Sequence, residues 1–285
     1  MSFAQAMFLA VLQGVSELFP VSSLGHTILI PALLRWPVDR SDESFLAFVV
    51  VLHLGTALAL VVFYWWDWAA IVRALAASVA RGRLSGERDE KIGWLLVAGT
   101  VPVALIGVFF QSAVRGFFGS PAVVALFLVI NAFVMFLGEW LRRRQHANRA
   151  RSSTPLERIS WADGVKVGLA QALALLPGIS RSGSSIVAGL LVDLDHEDAA
   201  KYSFLLATPV IFAASVLEIP KLFDPAAHVV ALQAAIGGVL AGITAYASVA
   251  FLTRYFRNND LRPFGWYCLV AGGAAFLYFI AKGGA

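Results

Sequence analysis

The chain has 285 residues, of which 59% are apolar and only 14% are charged, and its mean hydropathy is +0.76. Soluble domains contain about 25% charged residues, so this composition excludes a soluble core, a disordered chain and a nucleic-acid-binding domain. The single cysteine, Cys268, excludes a secreted disulfide scaffold, and the net charge of +4 is expected to report membrane orientation rather than an acidic partner. The composition therefore predicts an all-α polytopic integral membrane protein.

Eight apolar stretches follow one another along the chain. In chain order they are 3–33, 44–66, 93–110, 118–140, 163–192, 202–217, 229–252 and 263–281. Six of them are long and uninterrupted enough for transmembrane helices, which need about 20 residues. The stretches 3–33 and 163–192 are instead broken near their middle by proline, glycine and several hydroxyl residues. Their short halves predict two re-entrant helical hairpins.

The distribution of basic residues predicts the orientation. The loops 67–92, 141–162 and 253–262 carry fourteen Lys and Arg residues, whereas the other three loops together carry four. All three basic loops fall on one side if six helices span the membrane and both broken stretches turn back. By the positive-inside rule that side is the cytoplasm. Both termini are then outside, the first hairpin enters from outside, and the second enters from the cytoplasm.

The two broken stretches also resemble each other, which predicts an inverted repeat. The aligned pairs are Gln13 with Gln171, Ser22 with Ser180, Ser23 with Arg181, and Gly25 with Gly183. We expect one membrane domain over residues 1–285, with halves at about 1–140 and 163–285 joined by the basic cytoplasmic loop 141–162. Repeats of this kind place a ligand site near the bilayer midplane, between the halves.

Charged residues in the two breaks indicate where the chemistry lies. Irregular backbone at membrane depth is tolerated only where it is buried in protein or lines a cavity. Glu17, His26 and Arg181 are costly inside apolar segments, and a functional site is the default interpretation. A buried structural ion pair between Glu17 and Arg181 is the alternative, although it would not explain His26 and the surrounding hydroxyls.

The residue types in the breaks predict phosphate chemistry. Arg181 carries a planar fork that suits phosphate, and a helix that begins beside it offers backbone N–H groups to an anion. The predicted substrate-binding residues are Gln13, Ser22, Gly25, Ser180, Ser182, Gly183, Ser184 and Ser185. Ser23 is the predicted nucleophile, with Glu17 as its base and His26 orienting it or protonating the leaving oxygen. Two rivals stay open, namely phosphorylation of His26 and direct attack by water.

With these motifs the chain resembles the undecaprenyl-diphosphate phosphatases of the bacitracin-resistance type. That family carries (Glu/Gln)-x-x-x-Glu leading into Pro-Val-Ser-Ser-x-Gly-His, and a second element Pro-Gly-x-Ser-Arg-Ser-x-x-Thr. The corresponding segments here are 13–17, 20–26 and 177–185. Gln13 stands where many members have Glu and cannot act as a base, which leaves that role to Glu17. Ser185 stands where Thr is usual and keeps the hydroxyl.

The resemblance implies an enzyme that removes the terminal phosphate of undecaprenyl diphosphate in the cytoplasmic membrane of a bacterium. It also implies a part in cell-wall synthesis and bacitracin resistance, with the lipid substrate and membrane lipids as partners. A divalent cation, Mg²⁺ or Ca²⁺, is an expectation of the family alone, because no carboxylate pair in the sequence plainly binds one. A homodimer is compatible with the sequence. The alternative function is a polyprenyl-phosphate flippase or transporter, since inverted repeats are typical of transporters.

Two polar residues lie within predicted spans, and each has a structural as well as a functional interpretation. His53 either lines the cavity or is a hydrogen-bonded structural histidine. Asn131 is interpreted as a packing residue, because a single amide in a span is more often structural than catalytic.

Overall fold

The computed structural model describes residues 1–37, 43–118, 120–148, 153–218 and 225–283, and within these ranges the chain is helical and has no strand. Its eleven α-helices there are α1 (Phe3–Ser16), α2 (Ser23–Leu33), α3 (Glu43–Phe63), α4 (Trp65–Arg81), α5 (Arg88–Phe118), α6 (Pro121–Asn148), α7 (Trp161–Ala170), α8 (Arg181–Leu191), α9 (His196–Glu218), α10 (Pro225–Tyr255) and α11 (Arg262–Ala281). Short 3₁₀ helices cover Leu156–Arg158 and Gln171–Leu175. Residues 149–152 of the predicted loop 141–162 lie outside the described ranges.

Five helices are long and apolar enough to cross a membrane. The stretches are Ser44–Phe63, Arg88–Phe109, Pro121–Gln145, Ala231–Tyr255 and Arg262–Ala281. They confirm the expectation of a multi-pass helical membrane protein. The sixth predicted span, 202–217, lies within α9, which is not among the five found in the described part of the chain. The exact number of spans is therefore taken up as a proposal below.

The helix α4 corrects the prediction of a loop over 67–92. Its residues Ile71 and Leu75 are one helical turn apart and pack against α5, where a Cβ on Gly93 would lie 2.8 Å from Cγ of Leu75. Ser78, one further turn along, accepts a hydrogen bond from the indole nitrogen of Trp94 at 2.9 Å. The helix ends at Gly82, whose φ of 62° is the left-handed conformation that commonly terminates helices. The basic residues of this segment obscured a regular helical pattern.

Both broken stretches form pairs of short helices. The helices α1 and α2 have 14 and 11 residues, and α7 and α8 have 10 and 11. At 1.5 Å per residue none of them reaches across a hydrocarbon core of about 30 Å. The segments between the paired helices cover residues 17–22 and 171–180, whereas the sequence predicted breaks at 20–26 and 177–185, whose later residues instead begin α2 and α8.

Each break packs directly against the start of the helix that follows the other break. The hydroxyl of Ser182 donates to the carbonyl oxygen of Phe19 at 3.1 Å. A Cβ on Gly25 would lie 3.2 Å from Cα of Gly178, so any larger residue would crowd this approach of the two backbones. Gly178 itself has a φ of 109°, which side chains disfavour. The contact places irregular backbone from both halves of the chain in one buried region.

A close crossing of α3 and α10 forms one wall of this region. A Cβ on Gly55 would lie 2.1 Å from the carbonyl oxygen of Gly238. Small residues at such a crossing let two membrane helices approach with extensive van der Waals contact. The crossing holds the middle of α3 beside α1, whose residues Leu9 and Ala10 are fully buried.

Candidate active site

A buried carboxylate and a serine hydroxyl form the centre of the site. Ser23 Oγ donates a hydrogen bond to Glu17 Oε2 at 2.6 Å. Glu17 follows the last residue of α1, and Ser23 is the first residue of α2, so the bend at Pro20 brings together two groups six residues apart. The two residues are 9% and 8% exposed. The predicted pairing of nucleophile and base is therefore geometrically present.

Three further groups surround the Glu17 carboxylate. Gln13 Nε2 donates to Oε2 at 3.0 Å, one helical turn away on α1. His53 Nε2 on α3 lies 3.6 Å from the same oxygen, and a guanidinium nitrogen of Arg181 on α8 lies 3.5 Å from Oε1. A buried carboxylate needs such donors and opposite charges to offset its lost hydration. His53, for which the sequence allowed two interpretations, thus belongs to the site.

Arg181 is held in place with part of its donor capacity unused. One terminal nitrogen donates to the Ser203 carbonyl oxygen at 3.3 Å, and the other makes the long contact with Glu17. Its Nε is buried and has no hydrogen-bond partner among the described residues. Because an unpartnered buried donor is costly, the guanidinium has an unsatisfied capacity that an anionic group can fill.

The serine hydroxyls on either side of Arg181 bond to one another and to nearby backbone. Ser180 caps α8, its Oγ accepting from the Gly183 N–H at 3.1 Å, and Ser182 Oγ lies 3.0 Å from Ser180 Oγ. Ser184 donates to the Ser180 carbonyl oxygen. Ser185 bonds to the Arg181 carbonyl oxygen at 2.8 Å and to Ser203 Oγ at 2.6 Å. All four of these predicted substrate-binding hydroxyls are thus engaged within the protein, since Ser182 Oγ also donates to the Phe19 carbonyl oxygen at 3.1 Å.

The start of α2 repeats the cap of α8. Ser22 Oγ accepts from the Gly25 N–H at 3.2 Å, as Ser180 does from Gly183. Ser22 has a φ of 69°, which is rare for a residue with a side chain and is found where surrounding structure enforces it, often at functional sites. The structure therefore places both predicted glycines at the same position of two capped helix starts.

His26 does not orient Ser23 by a hydrogen bond, contrary to one of its two predicted roles. Its Nδ1 lies 2.7 Å from the Ser22 carbonyl oxygen, and its Nε2 lies 2.7 Å from the Tyr267 hydroxyl. Because a carbonyl only accepts, Nδ1 carries the proton, and in the neutral ring the Tyr267 hydroxyl donates to Nε2. Ser23 is oriented by Glu17 instead, since that carboxylate is the strongest acceptor in contact with its hydroxyl.

Three residues of the site were missed or misjudged from the sequence. Asn131, interpreted as a packing residue, joins both breaks: its Nδ2 donates to the Pro20 carbonyl oxygen and its Oδ1 accepts from the Ser180 N–H, each at 3.0 Å. Ser203 holds Arg181 and Ser185, and Tyr267 holds His26. Only the polarity of Asn131 within an apolar span was available as a signal.

The donor set does not fit a resident divalent cation. Within the described residues no three His, Cys, Asp or Glu side chains come together, and Glu17 is the one carboxylate found at this site. Mg²⁺ and Ca²⁺ are held mainly by several oxygen ligands. Both oxygens of Glu17 are already in contact with Ser23, Gln13, His53 or Arg181.

Comparison with known proteins gives a consistent set of relatives. Residues 6–274 match the sequence model of the family described as bacitracin resistance protein BacA. The chain is 44% identical over 303 residues to an undecaprenyl-diphosphatase of Mycobacterium avium, covering 99% of each chain. It is 47% identical over 279 residues to an undecaprenyl-diphosphatase of Acidiphilium cryptum, covering 95% of this chain and 96% of that one.

Proposed function

The chain belongs to the bacitracin resistance protein BacA family, and on this basis we propose how its buried residues carry out the reaction. The protein hydrolyses undecaprenyl diphosphate to undecaprenyl phosphate and inorganic phosphate. This reaction regenerates the lipid carrier of cell-wall synthesis, and the family name is consistent with a role in bacitracin resistance. The residue roles below are our proposal, and the hydrogen bond of 2.6 Å between Ser23 and Glu17 carries it.

Ser23 attacks the terminal phosphorus. Its proton passes to Glu17 Oε2, a bond forms between Ser23 Oγ and phosphorus, and the bond to the bridging oxygen breaks. The leaving lipid phosphate takes the electron pair of that bond. Water then displaces Ser23 from phosphorus and releases inorganic phosphate. The short contact supports this role because a general base must lie within hydrogen-bond distance of the proton it removes.

Arg181 and the start of α8 bind the phosphate that is transferred. Charge in phosphoryl transfer spreads over the three equatorial oxygens, so fixed donors around these oxygens lower the barrier. The unpartnered Nε of Arg181 supports this role. The N–H groups at the N-terminus of α8 add a favourable dipole, and Ser180 and Ser182 keep the backbone in this arrangement.

His26 acts on the leaving group, the lipid phosphate. The two helix starts carry Ser23 and Arg181 at equivalent positions, and His26 follows Ser23 by one turn of α2, which puts both on one face. Its Nε2 donates to the leaving phosphate oxygen when the ring is protonated. Because Nδ1 is bound to the Ser22 carbonyl oxygen, Nε2 is the ring nitrogen that can donate, and it exchanges its contact with the Tyr267 hydroxyl for the leaving oxygen.

Rapid-quench experiments with substrate labelled at the terminal phosphate test the nucleophile. We expect a labelled protein that survives acid and loses its label in alkali, as a phosphoserine does, and that is absent in Ser23→Ala. An acid-labile phosphoprotein that persists in Ser23→Ala would assign the role to His26. Absence of any phosphoprotein, with a loss of less than about tenfold in Ser23→Ala, would assign it to water.

Release of inorganic phosphate by the purified protein separates hydrolysis from transport. A flippase moves polyprenyl phosphate without cleaving a bond and needs no nucleophile. We expect phosphate release in detergent, where no second leaflet exists, and its loss in Ser23→Ala.

We also propose six spans with both termini outside, two re-entrant hairpins, and an inverted repeat with halves at about 1–140 and 163–285. Ion pairs support this topology because they join helix ends predicted to be cytoplasmic. Lys201 pairs with Asp67 at 2.7 Å, and Arg143 pairs with Asp260 at 3.2 Å. The matching caps of α2 and α8 support the repeat. The proposed location is the cytoplasmic membrane of a bacterium.

A further inference from the structure

His53 has one ring nitrogen bound to backbone and the other directed at Glu17. Its Nδ1 lies 2.9 Å from the Val49 carbonyl oxygen. Because that oxygen only accepts, Nδ1 carries a proton, and the ring gains or loses its second proton at Nε2. Nε2 lies 3.6 Å from Glu17 Oε2, the oxygen that accepts from Ser23. This separation is slightly longer than a hydrogen bond and closes with a small movement of the side chain.

Gln13 contacts the same oxygen but cannot exchange a proton with it. Its amide donates to Glu17 Oε2 at 3.0 Å, at the position where many members of the family carry Glu. Arg181 stays protonated under all ordinary conditions, and His26 is directed to Ser22 and Tyr267. Among the described residues, His53 is therefore the group in contact with Glu17 that can accept a proton from it.

We propose that His53 is the second acid–base group of this site and takes from Glu17 the proton that Glu17 receives from Ser23. The inference rests on the proposed role of Glu17 as a base. In this chain His53 takes the part that a carboxylate at position 13 can take in other members. Glu17 and His53 then form the proton-handling pair, and Gln13 orients the carboxylate.

The protons balance over the two half-reactions. In the first, the Ser23 proton moves to Glu17 Oε2 and on to His53 Nε2, which leaves Glu17 as a carboxylate beside an imidazolium. In the second, Glu17 takes a proton from the attacking water and returns it to Ser23 Oγ as the phosphorus–oxygen bond to Ser23 breaks. The proton on His53 is then released to water.

The variant His53→Gln tests the proposal. It keeps a polar side chain of similar size but cannot take up a proton. We expect steady-state turnover to fall by about 100-fold or more, since a general acid–base group contributes about 100- to 10,000-fold. We also expect phosphoserine to accumulate, because a protonated Glu17 cannot activate water in the second half-reaction. Elution volume and melting temperature in detergent check that the variant is folded.

Rescue by a second substitution makes the test specific. The double variant His53→Gln with Gln13→Glu restores a second titratable group in contact with Glu17. We expect its turnover to return to within about threefold of Gln13→Glu alone, which is within about 0.7 kcal/mol. His196→Gln is the matched control, since His196 is paired with Glu139 at 2.7 Å outside this site. Gln13→Glu should not restore whatever activity that variant loses.

Two results would overturn the proposal: unchanged turnover in His53→Gln, or a loss that Gln13→Glu does not repair. Failure of the proposed nucleophile has a different signature. If no variant forms phosphoserine but Gln13→Glu still rescues His53→Gln, then Glu17 and His53 handle the proton of an attacking water, and Ser23 is not the nucleophile.

Discussion

The side-chain amide of Asn131 donates a hydrogen bond to the carbonyl oxygen of Pro20 at 3.0 Å. Its oxygen accepts from the Ser180 N–H at the same distance. One amide on α6 therefore satisfies a backbone acceptor in the first break and a backbone donor in the second. Because neither group has a helical partner, Asn131 supplies from within the protein the bonds that irregular backbone at membrane depth requires, and so allows the two breaks to coexist in one buried site.

Asn131→Leu is expected to destabilise the protein strongly. It keeps the size of the side chain but removes the partner of the Ser180 N–H, and it leaves the Pro20 carbonyl only the long, weak contact with the Cys268 thiol at 3.9 Å. At about 1–3 kcal/mol for each buried unsatisfied group, the cost is about 2–6 kcal/mol. Thermal unfolding in detergent measures it. The control is Thr100→Val, where a buried hydroxyl bonds only to its own helix at Leu96. Equal melting temperatures for the two variants would show that Asn131 is a packing residue after all.

Arg181→Lys is expected not to rescue the loss of activity in Arg181→Ala. The guanidinium holds the Ser203 carbonyl and Glu17 with its two terminal nitrogens and leaves Nε for phosphate. A lysine ammonium cannot donate to the Ser203 carbonyl, to Glu17 and to the phosphate at the same time. Loss of these donors should cost about 2–4 kcal/mol of transition-state stabilisation, or roughly 30- to 1000-fold in rate. Phosphate release by purified protein measures it. Wild-type activity in the lysine variant would mean that a point charge is sufficient.

Local motifs predicted which residues lie together at the centre of the candidate site, for a physical reason. Glu17 and Ser23 are six residues apart with Pro20 between them, so their contact depends on one bend. Ser180 and Gly183 are three residues apart, the spacing of a helix cap. Such relationships depend on local backbone geometry, which a short stretch of sequence largely determines.

Residues brought in by tertiary packing were not predictable in the same way. Tyr267 is separated from His26 by 241 residues, and its sequence context indicates only the end of a membrane helix. The interpretation of His53 depended on which face of α3 meets α1, and this is decided by the close crossing at Gly55. The helix α4 is a different case. Its apolar residues have helical spacing in the sequence itself, but the basic residues of the same segment favour a loop.

Cysteine labelling is expected to confirm the proposed orientation. Arg83→Cys, in the segment between α4 and α5, should react with an impermeant maleimide only after the cells are permeabilised. Pro37→Cys, in the segment after α2, should react in intact cells; both positions are exposed. The parent protein is the control, since its only cysteine, Cys268, is fully buried. The reverse pattern would contradict the orientation and, with it, the sides from which the two hairpins enter.

Tyr267→Phe is expected to reduce turnover modestly while leaving substrate affinity nearly unchanged. The substitution removes the hydroxyl that bonds to His26 Nε2 but preserves the ring that stacks on His26, with centroids 5.6 Å apart and planes inclined by 12°. Loss of one such hydrogen bond costs about 0.5–1.5 kcal/mol, which corresponds to roughly 2- to 10-fold in kcat. Tyr278→Phe, on the same helix, is the control, because its side chain contacts Lys282 rather than the site.

Steady-state kinetics of the two tyrosine variants separate three roles for Tyr267. A fall in kcat without a change in KM, found only in Tyr267→Phe, supports its role in holding His26. A loss as large as that of Ser23→Ala would mean that the hydroxyl contacts the reacting phosphate itself. Equal kcat in both variants would mean that the bond from Nδ1 to Ser22 is sufficient to hold the ring, since that bond is the other polar contact His26 makes within the described structure.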